Sequence, residues 1–448
     1  MDLFGTAGIR GSAVTDVTPE LAMAVGRAVA RDGDEVVIGR DGRTTGEGLA
    51  SAVEAGALSG GAAVRRVGVV PTPALAFATR GRRGVMLTAS HNPPDDNGIK
   101  LFDDGVEFDR EAERAVERRV AEGSPPVDWD EWGDVRDAPV LDAYREAVVD
   151  YARGYGAPLD GLQIVVDCAN GMAALATPTV LRELGASVVT LHGNVDGHFP
   201  GRGSKPTPES LADLRRFVAD GDAAFGIGHD GDADRIVIVD GAGEVVHEDT
   251  VLAVVAERYV RDCDAADPVV VTTPNASARI DDRVAAAGGR VERVGLGSLH
   301  EGVARVRAEG GTVAFAAEPW KHIHPAFGGW IDGVVSAAVI ARFVASEGLD
   351  TLREPVIERP YRKVSVACPD DRKSAAMERL ATTLPEAFPD ATVDRSHGIR
   401  LERRDGSWLL VRPSGTEPYV RLYAESEAVD ELVATARERI ERAVEAAA

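Results

Sequence analysis

The chain has 448 residues, 44% of them hydrophobic and 27% charged, a globular balance with room for about three domains. Its 73 acidic residues and formal charge of -23 exclude a basic nucleic-acid-binding surface, and no apolar run is long enough to span a bilayer. Among its 50 basic residues only Lys100, Lys205, Lys321, Lys363 and Lys373 are lysines. An acidic, lysine-poor chain predicts a salt-accumulating cytoplasm, where screening reduces self-repulsion; GC-biased codons in an acidic mesophile give a similar bias. Cys168, Cys263 and Cys368 are far apart and outside any metal-binding spacing, as expected of small buried hydrophobes in a reducing compartment. The N-terminus lacks the basic-then-apolar order of a secretory leader, which fits a cytoplasmic location.

In chain order, Thr18-Pro19-Glu20 marks a capped helix start, with Leu21, Val25 and Val29 at helical spacing and Gly33 as the stop. Strands are expected at 36–39 and 66–70, then in the apolar run 84–87. That run stops at Thr88-Ala89-Ser90-His91-Asn92-Pro93, where prolines prevent strand or helix from continuing. Ser90 is therefore presented at a strand end, a usual place for a ligand site in an open α/β sheet. Residues 96–102 read as a loop. A helix at 140–151 leads to a Gly-Pro break near 154–158, strands follow at 162–167, 235–239 and 268–273, and a helix at 334–344. From 354 the pattern changes to short alternating strands with helices at 373–384 and 429–444. This order predicts an α/β protein: three similar α/β domains with largely parallel sheets (1–154, 155–260 and 261–353), then a smaller α+β domain (354–448).

Three segments carry chemistry. Ser90 needs activation to act as a nucleophile, because its hydroxyl is weak at neutral pH. Asp230, Asp232 and Asp234 alternate on one short loop between apolar runs, a donor set suited to a hard divalent cation. An EF-hand is excluded, since its sixth and twelfth loop positions fall on Arg235 and Gly241. A solvated acidic turn is the bland alternative; like charges between two buried strands disfavour it without a neutralising cation. Arg412, Ser414, Gly415 and Thr416 form a turn whose N–H groups, hydroxyls and guanidinium suit phosphate oxygens. The Gly-rich segment Phe4-Gly5-Thr6-Ala7-Gly8-Ile9-Arg10-Gly11 is weak alone and lacks a Walker lysine.

With these motifs in this order, nearly the whole chain resembles the α-D-phosphohexomutase family of phosphoglucomutases, phosphomannomutases and phosphoglucosamine mutases. The resemblance implies four domains, with an active site in a central cleft. It implies a phosphoryl group on Ser90 and one Mg²⁺ held by that group with Asp230, Asp232 and Asp234. A hexose 1,6-bisphosphate would serve as intermediate and activator, and Arg412, Ser414, Gly415 and Thr416 would grip the phosphate not reacting. Lys100 and Arg10 match positions beside the phosphoserine, as acid/base and charge stabiliser, and Arg235 falls among the substrate contacts. The sugar-reading loop departs from the family's Gly-Glu-x-Ser-Gly-His. Glu318, as a sugar contact, and His322, as a catalytic residue, keep their places, but Trp320 and Lys321 replace Ser and Gly; Trp320 would stack on the sugar or narrow the pocket, and Lys321 would contact a phosphate. The stretch 96–102 is similar to phosphoglucosamine mutases. The partners implied are a small sugar phosphate and, for the chain itself, a monomer or homodimer, with neither nucleic acid nor membrane.

Other readings are a phosphatase using Ser90 as a transient acceptor and a sugar-phosphate-binding paralogue without turnover. A nucleophile-elbow hydrolase lacks its Gly-x-Ser-x-Gly here. His322 and His324 lack the well-spaced third partner of a transition-metal site, so satisfied or solvated histidines are expected in place of that metal reading.

Overall fold

The structure is a computed structural model that describes residues 3–5, 8–414 and 417–447. Contacts gather the chain into two compact units, Met1–Val251 with Ala314–Arg353, and Leu252–Val313 with Glu354–Ala448. No helix among the described residues is long and apolar enough to cross a membrane.

In the first unit, helix Pro19–Ala30 begins as its sequence dictates. Thr18 accepts a hydrogen bond from Leu21 N, Pro19 occupies the first turn, and Val25 and Val29 face the core. It crosses helix Gly46–Ser59 at close range: a Cβ on Gly26 would stand 2.2 Å from Val53 O, and one on Gly56 2.1 Å from Met23 O. Both cover a seven-stranded sheet whose centre, Glu35–Arg40, pairs in parallel with Ala63–Val69 and with Arg83–Leu87. Val36, Val64, Val85, Leu49 and Val53 form its core. Each such fully buried aliphatic side chain contributes about 1.5–3 kcal/mol.

The stretch expected as a loop is instead strand Asp96–Asp103, antiparallel to both Arg83–Leu87 and Ile9–Ser12. Asn97 and Lys100 gave it a loop-like polarity, yet both are buried, because this strand carries part of the site. The sheets are accordingly mixed rather than largely parallel. The second sheet repeats the plan: Gln163–Asp167 pairs in parallel with Ser187–Leu191 and Phe225–His229, and Ile236–Asp240 closes the edge antiparallel. A parallel pair (Pro268–Thr272 with Arg290–Arg293) and an antiparallel one (Thr312–Glu318 with Lys321–Ile323) repeat its parts again. The repeat invisible in the residues is thus visible in strand order. The last sheet, five strands from Tyr361–Ala367 onward, is antiparallel in every pair and carries helices Lys373–Ala387 and Val429–Glu445, the α+β domain expected.

Asp332 caps helix Gly333–Glu347, accepting from Val334 N and Val335 N at 3.0 and 2.9 Å, from Tyr144 Oη at 2.8 Å and from Trp330 Nε1 at 3.0 Å. Burial nevertheless pushes its carboxyl up to about 6. A pKa raised on folding contributes stability that is present below the ordinary carboxylate range and lost as pH rises through about 6. Asp332→Asn should therefore flatten the fall in denaturation midpoint between pH 4 and 6. A wild-type slope retained in that variant would assign the dependence elsewhere.

Candidate active site

Ser90 follows strand Arg83–Leu87 with a left-handed backbone, φ 52°. Its Oγ donates to Asp230 Oδ2 at 2.7 Å, and His91 Nδ1 lies 3.3 Å from Ser90 Oγ. Burial, then the charges of Arg235 and Arg10, push the His91 imidazole down to about 3, so it is neutral at physiological pH. Among the described residues Asp230 is the carboxylate in direct contact with the Ser90 hydroxyl.

The acidic loop joins strands Phe225–His229 and Ile236–Asp240. Ala233, at φ 62°, turns the chain within it, and Asp230, Asp232 and Asp234 are all buried. Each offers a carboxylate oxygen within 4.8 Å of the others'. Gly231 lets the loop approach the serine, since a Cβ there would stand 2.5 Å from Ser90 O. Thr72 Oγ1 and Lys100 Nζ donate to Asp232 Oδ2 at 2.7 and 2.9 Å, and Lys100 Nζ donates to Asp234 Oδ2 at 2.8 Å.

The charges sort themselves physically. Burial acts to discharge Lys100, but Asp232 and Asp234 outweigh it and hold the ammonium above the ordinary lysine range. Burial also acts to raise Asp234, yet Lys100, Arg235 and Lys321 together hold it far below the carboxylate range. Asp230 goes the other way, raised by burial and by the charges of Asp234 and Asp232 against the pull of Arg235. Neighbouring cations thus already offset part of the acidic charge that the sequence assigned wholly to a metal. A remainder persists, because Asp232 Oδ1 and Asp234 Oδ1 are buried without a hydrogen-bond partner among the described residues. A hard cation with oxygen ligands fits those orphaned oxygens and the converging donor set.

Most of the predicted residues meet here. Arg10, on strand Ile9–Ser12, pairs with Gly98 and keeps a buried Nε with no hydrogen-bond partner among the described residues. Arg235 Nε lies 3.7 Å from Asp230 and 3.8 Å from Asp234. The hairpin turn 318–321 is tied to the acidic loop, since Arg235 bridges Lys321 and Ile236 N donates to Trp320 O at 3.1 Å. Lys321 Nζ donates to Glu318 Oε1 at 2.8 Å. Two residues stand otherwise than the resemblance implies. Trp320, at φ 68°, packs against the core of Val165, Leu211 and Leu214, which leaves less of its ring for stacking on a sugar. His322 is 2% exposed, shares Ser336 Oγ with His324 at 3.1 and 2.8 Å, and burial pushes it down to about 3. Its contacts are those of a satisfied core histidine.

In the second unit, Arg412 lies near the end of strand Trp408–Pro413 with a buried Nη1 that has no hydrogen-bond partner among the described residues, and Ser414 N donates to Tyr419 O at 2.9 Å. Lys373 Nζ donates to Ser414 O and Glu417 O, both at 2.6 Å. Gly415 and Thr416 lie outside the described residues. Sequence reasoning missed Thr72, in Pro71-Thr72-Pro73 just after strand Ala63–Val69, a strand-end position like that of Ser90.

Comparison with known proteins agrees with this geometry. Residues 1–126 match the model of phosphoglucomutase/phosphomannomutase alpha/beta/alpha domain I, 142–243 that of domain II, and 364–443 that of the C-terminal domain. A phosphopentomutase of Thermococcus kodakarensis is 43% identical over 95% of this chain and 94% of its own. A probable phosphoglucosamine mutase of Methanopyrus kandleri is also 43% identical, with the same coverage. Among solved structures, a phosphoglucomutase/phosphomannomutase family protein of Burkholderia thailandensis superposes with a TM-score of 0.83 at 25% identity, covering 99% of this chain and 97% of that one. The N-acetylphosphoglucosamine mutase of Aspergillus fumigatus, solved with GlcNAc-6P and magnesium, shares the fold at 16% identity and a TM-score of 0.64, covering 100% of this chain and 96% of its own. Three matched domain models and relatives of this identity over nearly the full length establish that the chain belongs to the phosphoglucomutase/phosphomannomutase family and is a phosphohexomutase, an isomerase that moves a phosphoryl group.

Proposed function

We propose that the protein interconverts the 1- and 6-phosphates of glucosamine, with Ser90 as the phosphoryl carrier. The observation that carries this reading is the Ser90 hydroxyl at 2.7 Å from Asp230, inside a buried cluster with two carboxylate oxygens that have no hydrogen-bond partner among the described residues. In the first transfer the bond from phosphorus to Ser90 Oγ breaks as one forms to the sugar hydroxyl, giving a 1,6-bisphosphate. After the intermediate turns end for end, its other phosphate returns to Ser90 by the reverse exchange.

Asp230, Asp232 and Asp234 would hold one Mg²⁺, which when bound neutralises charge on the phosphoryl group. Lys100, kept as an ammonium by Asp232 and Asp234, suits the donor side of proton transfer and charge stabilisation better than a base. Arg10 and Arg235 bring two further cations to the transferring group. Glu318 and Lys321 would read the sugar, and Arg412 and Ser414, with Gly415 and Thr416, would grip the distal phosphate. The four domains would keep the boundaries 1–154, 155–260, 261–353 and 354–448. The acidic, lysine-poor composition supports a salt-rich cytoplasm as the working medium.

A coupled assay with glucosamine, mannose, glucose and ribose 1-phosphates, primed with glucose 1,6-bisphosphate at low and molar KCl, tests this reading. Ribose belongs in the set because one relative at 43% identity is named a phosphopentomutase. Fastest turnover of glucosamine 1-phosphate is expected. A faster pentose would overturn the substrate, activity on none the carrier role of Ser90, and inactivation by KCl the salt-rich setting.

A further inference from the structure

Directly after strand Glu35–Arg40 lies a buried ion pair, Asp41 and Arg43, each 1% exposed, with Arg43 Nε 3.2 Å from Asp41 Oδ2. Arg43 spends the rest of its fork on the backbone of the serine loop. Nη2 donates to Ser90 O at 3.1 Å and to Asn92 O at 2.8 Å, while Nη1 donates to Asp96 O at 2.9 Å and also to Pro93 O. Asp41 Oδ2 accepts from Thr88 Oγ1 at 2.7 Å, and Thr88 Oγ1 in turn accepts from Ser90 N at 2.9 Å. Both peptide groups of Ser90 are therefore tied to one ion pair, its N–H through Thr88 and its C=O through Arg43.

That matters because Ser90 is held at φ 52°, a conformation that costs a non-glycine residue free energy and persists only where its surroundings over-determine it. The same guanidinium lies 5.0 Å from the ring centroid of Phe199, whose ring would also crowd a Cβ on Gly231 in the acidic loop. Ser204 Oγ donates to Asn92 O at 2.9 Å from the same stretch of chain. The ion pair thus stands where the serine loop, the acidic loop and the stretch 199–204 meet. A buried ion pair is weak evidence for stability in itself, since desolvating two charges offsets much of their attraction. Geometry at the serine is the better account of its presence.

We propose that Asp41 and Arg43, with Thr88 as relay, are positioning residues that fix the Ser90 backbone and so aim its oxygen at the metal-binding carboxylates, without touching substrate. This inference rests on Ser90 being the phosphoryl carrier. Its test compares Arg43→Lys, which keeps the charge but loses the fork, with Thr88→Ala, which cuts only the N–H arm and leaves the ion pair whole. Steady-state kinetics are measured where each variant is folded by circular dichroism. Misplacement by about 1 Å costs about 100-fold in rate, so Arg43→Lys should lose roughly that in kcat and Thr88→Ala about 10-fold, both with KM nearly unchanged. The rate at which glucose 1,6-bisphosphate phosphorylates Ser90 should fall in parallel. Chemical rescue of Arg43→Gly by added guanidinium would restore part of kcat, which a purely structural role would not predict. Wild-type kcat in Thr88→Ala would overturn the proposal, even if the Arg43 variants fail to fold. A wild-type protein that never accepts a phosphoryl group at Ser90 would instead sink the carrier assignment.

Discussion

Ser90→Ala is expected to lower mutase turnover by about 10⁵-fold or more, the scale seen when a covalent nucleophile is removed and its partners lose their task. The oxygen lost is the one within 2.7 Å of Asp230, and no other hydroxyl in the described contacts of that carboxylate can replace it. Folding should be little affected. The hydroxyl makes one hydrogen bond to the cluster, and the ties that hold the Ser90 backbone run through Thr88 and Arg43. Circular dichroism and a melting curve within a few degrees of wild type, alongside steady-state kinetics, check both halves. Appreciable turnover in the variant would remove Ser90 from the reaction.

Replacing the acidic residues should separate metal binding from stability, because their environments differ in sign. Asp230→Asn and Asp234→Asn should each lower Mg²⁺ affinity by at least about 100-fold, since changes even to outer-shell partners reach that size. Turnover should fall by at least about 10²–10³-fold, the scale for losing an electrostatic stabiliser of the transferring group. Metal-free stability at pH 7 should move in opposite directions. Asp230 is raised by burial and then by Asp234 and Asp232, so its contribution is present at low pH and lost as pH rises above the ordinary carboxylate range. Asn at 230 removes that loss and should be neutral or stabilising. Asp234 is lowered, with Lys100 the largest pull against burial, so its contribution is present above the ordinary carboxylate range and lost on acidification. Asn at 234 should cost on the order of 2 kcal/mol, the worth of a hydrogen bond to a charged group. Titration calorimetry with Mg²⁺ and denaturation without it check the pair. Equal stability changes would contradict this assignment of charge.

The serine and acidic loops were legible because each lies on a short connection next to a clear strand pattern. Asp230, Asp232 and Asp234 alternate between apolar runs, and Ser90 stands where an apolar run meets prolines. The strand that carries Lys100 was not legible. A buried strand at a reactive site holds Asn97 and Lys100, and their polarity imitates a loop until partners 132 and 134 residues away are in place. Asp41, Arg43 and Thr72 were missed for a related reason. Their partners come from across the first unit, and a lone Arg or Thr after a strand gives no local sign of them. His322 differs in the opposite sense: its place in a motif-like stretch carried the assignment, whereas its contacts are with Ser336 and the core. The turn at Trp320 also resisted prediction, since a tryptophan at φ 68° follows from packing rather than from local preference.

The central claim is that Ser90 carries the phosphoryl group between the two positions of the sugar. It is tested most directly by single-turnover transfer. Protein labelled by glucose 1,6-bisphosphate is mixed with excess glucosamine 6-phosphate, and the Ser90 peptide is followed by mass spectrometry while the bisphosphate is quantified. Loss of phosphate from Ser90 matched, mole for mole, by glucosamine 1,6-bisphosphate is predicted. Phosphate that stays on Ser90 while the sugar phosphate still turns over, or that resides on another residue, would contradict the account.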